Sequence, residues 1–266
     1  GDVRSDGSST VFPIAEAVAE EFSKVAGDVR ANVAFSGTGG GIEKFCRGEI
    51  DIADASRPIG KSEMDACAKV GVQYIELPVA YDALTVAVNP QNTWVDTLAV
   101  ADLKKMWEPA AQGKVTPWKA VNPKWPAQPL KLFGPGADSG TFDYFTEATV
   151  GKAKSSRGDF TASEDDNVLV QGVESDVNAL GYFGYAYYAP NAAKMKAVKI
   201  VNTKGQAVGP SPKAVLDGSY EPLSRPVFIY VSKASAQRAE VREFVEFYLS
   251  KGALLVEEVK YVPLSK

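Results

Sequence analysis

The stretch VRANVAFSGTGGGIEKFCRGEIDIADASRP, residues 29–58, decides the fold. Its first seven residues alternate apolar and polar side chains, the period of a strand. The run Ser36-Gly37-Thr38-Gly39-Gly40-Gly41 then opens a short helix expected over 42–47 and stopped by Gly48. Ile50-Asp51-Ile52-Ala53 reads as the next strand, ending at Ser56-Arg57-Pro58. This rhythm of strand, helix and strand favours an α/β fold with a parallel sheet covered by helices.

The same rhythm extends outward. Toward the N-terminus, a helix is expected over 13–26, where Ile14, Val18, Phe22 and Val25 share one face. Pro13 suits its first turn and Gly27 the position after its end. Toward the C-terminus, Ser62 reads as the N-cap of a helix through Lys69. Strands are expected at 74–77 and 84–88, the second broken by Asn89-Pro90. Residues 89–136 change character, with Trp94, Trp107, Trp118 and Trp125 set among prolines and lysines, and mark a second structural unit.

In that unit a strand at 130–133 feeds the run Gly136-Ala137-Asp138-Ser139-Gly140-Thr141. A helix follows in which Phe142, Phe145 and Thr149 share a face before Gly151. A helix at 168–178, strands at 198–202 and 227–232, and a last helix over 236–251 stopped by Gly252 complete the pattern. The aromatic run over 180–188, with Tyr182, Tyr185, Tyr187 and Tyr188, is expected to pack core and hinge.

Three runs of small hydroxyl residues and glycines thus precede helices: Gly7-Ser8-Ser9-Thr10-Val11, residues 36–41 and residues 136–141. A helix N-terminus carries unpaired N–H groups and the positive end of the helix dipole. Glycine lets a ligand approach that backbone, and Ser or Thr adds a hydroxyl. Each run alone is also what an ordinary helix cap looks like. Together they suit a small dehydrated oxyanion, with ligands presented beyond the carboxyl ends of strands. None is a Walker loop or a Gly-x-Gly-x-x-Gly turn, which argues against nucleotides. Arg57, just past a strand end, can hold an oxyanion bidentately, or else form a surface salt bridge. Asp138 is either the N-cap of its helix or an acceptor for a ligand proton, with Asp51 and Asp54 as other candidates. HPO4²⁻ has such a proton and SO4²⁻ does not, so an acceptor in a donor-rich pocket would select phosphate.

Composition removes several classes. The 266 residues carry no histidine, which excludes Ser-His-Asp and Cys-His catalysis and His-ligated zinc. Net charge is −4 without a long basic run, which argues against nucleic acid but not against a small anion. No apolar run approaches the roughly 18 to 20 residues that a membrane-spanning helix needs. The opening Gly1-Asp2-Val3-Arg4 lacks Met and reads as the start of a trimmed chain. Cys46 and Cys67 are too few for a four-cysteine metal site. A disulfide between them is the expectation, worth about 3 kcal/mol and implying an oxidising compartment. Two buried thiols are the alternative.

The segments GSSTVFP (7–13), SGTGGG (36–41), DIADASRPI (51–59), GPGADSGTFDYF (134–145) and NALGYFGYAYYAPN (178–191) resemble periplasmic phosphate-binding proteins of the PstS type. These are the solute receptors of phosphate ABC importers, and the match covers most of the chain in the right order. The resemblance implies a two-lobed "Venus flytrap" of type II, each lobe a mainly parallel sheet flanked by helices. Lobe 1 would be 1–88 plus 192–266 and lobe 2 would be 89–191, with the ligand cleft between them and hinges near 86–90 and 187–199.

Carried over by position, Thr10 and Val11 would donate from the first loop, helped by Ser9. Ser36 and Thr38 would donate from the second, and Ser139, Gly140 and Thr141 from the third. Better-known members have Ser-Asp where this chain has Ser56-Arg57, and an arginine where it has Pro135. Here Arg57 would supply the cation and Asp138 the acceptor. The resemblance implies no enzyme, catalytic residue, metal or cofactor, and a monomer working with importer membrane subunits in the periplasm. A receptor for sulfate, molybdate, arsenate or a phosphonate, a phosphatase, and a surface protein retaining the fold are the rivals.

Overall fold

The computed structural model describes residues 1–264. The chain forms two units, one from Gly1–Asp82 together with the residues from Pro226 onward, the other from Ala83–Arg225. The first unit opens with β1 (Asp2–Gly7), α1 (Phe12–Val25), β2 (Arg30–Val33), α2 (Thr38–Cys46), β3 (Ile52–Ala55), α3 (Lys61–Lys69) and the long β4 (Tyr74–Val88). β1 lies between β2 and β3 and parallel to both, with Val3 opposite Ala31 and Asp6 opposite Ala53. Parallel strands joined through helices bring the loops after β1, β2 and β3 to one edge of the sheet.

The second unit contains β5 (Thr97–Leu98), α4 (Val100–Trp107), β6 (Lys131–Pro135), α5 (Gly140–Val150), β7 (Thr161–Ser163), α6 (Asp166–Ser175), β8 (Ala179–Gly184) and α7 (Tyr185–Tyr188). It continues with β9 (Lys196–Ala197), β10 (Lys199–Val201), β11 (Ala207–Val208) and α8 (Pro212–Leu216). β6 lies between β7 and β8, parallel to both. The later part of β4 runs antiparallel to β8 and β9. The chain returns to the first unit inside β12 (Ser224–Ser232), antiparallel to β3, and ends in α9 (Ala239–Glu258).

Each unit has its own core. In the first, α1 buries Ile14, Val18 and Phe22, and Phe22 meets Phe244 of α9 edge-on at 5.4 Å. Each such side chain contributes about 1.5–3 kcal/mol through burial. In the second, Trp107 stands edge-on to Tyr182 at 4.9 Å, and Tyr182 stacks on Phe145 at 3.6 Å. That aromatic cluster backs β8 and α5 and so holds the start of α5 in place. Tyr185, Tyr187 and Tyr188 are half-buried.

Several boundaries differ from the sequence expectation. α2 starts at Thr38, not near residue 42, so all three glycines lie inside the helix. Gly41 explains this, because a Cβ there would stand 2.4 Å from Gly7 Cα and 2.7 Å from the Asp6 carbonyl oxygen. The glycines let the helix lie directly on β1. Ser62 is not the cap of α3; Gly60 is, and its N–H donates to Glu63 Oε1 at 2.8 Å. The two strands expected at 74–77 and 84–88 are one continuous β4.

α9 runs through Gly252, which is buried inside the helix, to Glu258. The sheets are mixed because β4 and β12 run antiparallel to their neighbours β8 and β3. The units change at 82/83 and 225/226, not at 88/89 and 191/192. The stretch from 192 stays in the second unit because Lys199 and Ile200 pair with Thr97 and Leu98, and Tyr220 Oη donates to the Leu84 carbonyl.

Candidate functional site: two sets of helix-terminal donors

In the first unit the loops after β1, β2 and β3 meet. The Ser36 and Gly37 N–H groups both donate to the Gly7 carbonyl at 2.9 Å, and the Ser8 N–H donates to the Asp54 carbonyl at 2.9 Å. The backbone of the second loop is therefore tied to the first, and the first to β3. At the α1 end, Ser8 Oγ accepts from the Thr10 and Val11 N–H groups at 3.1 and 3.4 Å. Ser8, buried, orders this turn; Ser9, beside it, is half-buried.

At the α2 end, Thr38 Oγ1 lies 3.1 Å from Ser56 Oγ and accepts the Ser56 N–H at 3.2 Å. Thr38 is thus carried by the first turn of a helix and aligned by the residue that follows β3. Ser36 Oγ donates to Asp6 Oδ1 at 2.9 Å, and Lys44 Nζ reaches Asp6 Oδ2 at 2.7 Å. Asp6 is buried, so Lys44 balances a carboxylate directly beneath the loop. Sequence reading missed Ser8, Ser56, Asp6 and Lys44. Ser8 and Ser56 stand in quoted motifs, but Asp6 and Lys44 are 38 residues apart and only the crossover joins them.

Arg57 sits where the sequence puts it, after β3 and beside α2, with Gly39 next to its Nη2. Its Nη1 and Nη2 also donate to Glu63 Oε1 and Oε2 at 2.7 and 3.1 Å. That ion pair holds the Glu63 carboxyl below its ordinary range, assisted by the Gly60 N–H and opposed by burial. Of the other acidic candidates, Asp51 precedes β3 and accepts from the Arg4 N–H, Ser235 Oγ and Arg238 Nη2. It lies at the wrong end of the strand for the loops. Asp54 is fully buried, and Ser5 Oγ donates to its two oxygens at 3.1 and 2.9 Å. Burial pushes its carboxyl up to about 8, Asp6 adds to the rise, and the Ser5 hydrogen bond opposes it. Burial thus favours the neutral form of this core carboxyl under the loops.

In the second unit, β6 delivers its loop to α5. The Ser139 N–H closes a turn on the Gly136 carbonyl at 3.1 Å, and Ser139 Oγ accepts the Thr141 N–H at 3.1 Å. Ser139 is therefore the N-cap of α5, which removes the capping reading of Asp138. Asp138 is exposed in the turn, and Ser139, Gly140 and Thr141 are half-buried around the helix start. Gly151, in the left-handed conformation at φ 100°, ends the helix as expected.

Cys46 and Cys67 form a disulfide between α2 and α3. It ties the helix that carries Thr38 to the helix whose Glu63 holds Arg57. Among the described residues no group of His, Cys, Asp or Glu is arranged to hold a metal, and no helix is long and apolar enough to cross a membrane.

The family comparison matches a PBP superfamily domain over residues 1–251. The phosphate-binding protein PstS of Staphylococcus saprophyticus is 40% identical over 269 aligned residues, covering 100% of this chain and 81% of that protein. This chain belongs to the PstS family of the PBP superfamily. Protein SphX of Synechococcus elongatus is 55% identical, over 98% of this chain and 77% of its own length. The crystal structure of a possible phosphate binding protein from Planctomyces limnophilus superposes with a TM-score of 0.96 at 52% identity, covering 100% of this chain and 93% of that one. The fold likeness thus spans both units.

Proposed function

We propose that this chain is a non-enzymatic receptor that binds inorganic phosphate and delivers it to an ABC-type phosphate importer. The observation that carries the reading is the similarity, along all of this chain, to a phosphate-binding PstS protein, combined with helix-terminal hydroxyl and N–H donors in both units. A tetraoxyanion needs many donors and little room, which small Ser, Thr and Gly residues at helix starts provide.

In this reading Ser9, Thr10, Val11, Ser36, Thr38 and Arg57 serve the anion from the first unit. Ser139, Gly140 and Thr141 serve it from the second, with Asp138 accepting the ligand proton. Anion binding favours the form of the receptor that importer subunits recognise. The Cys46–Cys67 disulfide supports an extracytoplasmic location. The chain works as a monomer.

Parallel calorimetric titrations with phosphate, sulfate and arsenate test the proposal. Tight phosphate binding with sulfate much weaker is expected. Sulfate binding as tightly as phosphate, or no heat with phosphate at all, refutes it.

A further inference from the structure

Arg225 stands outside every motif quoted above. It is the second residue of β12 and the last residue of the second unit. Its guanidinium carbon lies 3.7 Å from the centroid of the Tyr144 ring, in α5. A cation over an aromatic face is stabilised, and the flat stack fixes where its edge points. Tyr144 is itself anchored, because its Oη donates to the Pro222 carbonyl at 2.7 Å. The platform is therefore tied to the segment that leads into β12, three residues before the arginine.

The guanidinium's polar contacts are sparse for such a buried charge. Nη1 is 3.8 Å from Glu147 Oε2, beyond hydrogen-bond distance, and the side chain is 19% exposed. Nε is buried and has no hydrogen-bond partner. A buried N–H left without an acceptor is unfavourable unless something completes it. Arg57 differs in this respect, since two of its nitrogens meet Glu63.

Position adds the direction. Residues three and four apart share a helix face, so Tyr144 and Glu147 continue the face begun by Gly140 and Thr141. Arg225 therefore lies over α5 beside Tyr144 and Glu147, and Tyr144 is one helical turn after Gly140.

We propose that Arg225 is an anion-binding residue, its guanidinium N–H groups completing the donor set of Ser139, Gly140 and Thr141. The inference rests on the phosphate reading above and adds to it a second cation, in the other unit from Arg57.

The test uses the unmodified protein labelled with ¹⁵N. The Arg225 Nε–H resonance, assigned by its absence from the Arg225→Lys spectrum, is followed during titration with inorganic phosphate. It should move and become protected from exchange with the same saturation as the calorimetric signal. Arg225→Lys should bind phosphate about 10-fold more weakly, and Arg225→Gln about 100-fold, the size expected for lost charge-assisted hydrogen bonds. A resonance that stays put while calorimetry shows saturation overturns the inference and leaves the phosphate reading intact. Absence of phosphate binding by the unmodified protein overturns the phosphate reading, and this inference with it.

Discussion

Gly41 of α2 rests on Gly7 of β1 so closely that a Cβ at position 41 would stand 2.4 Å from Gly7 Cα. Backbone meets backbone there, and neither side can rotate away. Gly41→Ala should therefore push α2 off β1. The expected loss of stability is about 1–3 kcal/mol, typical of overpacking, measured by urea unfolding. Phosphate affinity should fall with it, since Thr38 rides on the displaced helix. A variant as stable as the parent would show that the contact relaxes freely.

Arg57 and Glu63 separate a binding role from a structural one. Glu63→Gln removes the ion pair and should destabilise the fold by about 1 kcal/mol, as partly exposed pairs do. Because the folded carboxyl titrates below its ordinary value, its contribution is present above that value and lost as pH falls through the depressed one. The variant should lack that acid-side loss. Arg57→Ala should show the same stability loss and also bind phosphate at least tenfold more weakly by calorimetry. If both variants lose stability alone, Arg57 belongs to the fold and not to the anion.

Asp54 predicts a pH dependence of opposite sign. Its carboxyl rises from an ordinary 3.8 to about 8 in the folded protein. Between those values the folded state keeps a proton that the unfolded chain has released. Stability from this group is therefore full below about pH 4 and declines as pH rises toward 8. Asp54→Asn, which keeps an acceptor for Ser5, should flatten that decline. The difference between the two unfolding free energies, followed from pH 4 to 9, reads it directly. Parallel curves would mean that Asp54 ionises freely in the folded state.

Asp138 carries the selectivity proposal. Asp138 is exposed in the turn before the Ser139 cap, and in the proposed reading it accepts the proton of HPO4²⁻ and repels SO4²⁻. Asp138→Asn should reduce the phosphate-to-sulfate affinity ratio about tenfold, the scale of one charge-assisted hydrogen bond. Competitive titration measures the ratio. An unchanged ratio removes Asp138 from the acceptor role.

Much of this was legible in the chain alone. Residues 29–58 announce strand, helix and strand by periodicity, and β2, α2 and β3 follow in that order. The hydroxyl and glycine runs mark helix starts because capping and backbone access are local requirements, met within a few residues. The absence of histidine removed most hydrolytic chemistry without any coordinates. The disulfide was readable because Cys46 and Cys67 have no rival partner.

What periodicity could not supply were the pairings between distant segments. Ser36 donates to Asp6 across 30 residues, and Gly41 needs Gly7 beneath it. Gly252 looks like a helix stop, yet α9 continues through it because the surrounding core buries both sides of that point. Arg225 is an unremarked residue between Ser224 and Pro226 until β12 lays it over Tyr144, 81 residues earlier in the chain. Local chemistry is written in spacing. Which carboxylate meets which cation, and which donor is left over, is set by strand order and crossover, so only the tertiary structure decides it.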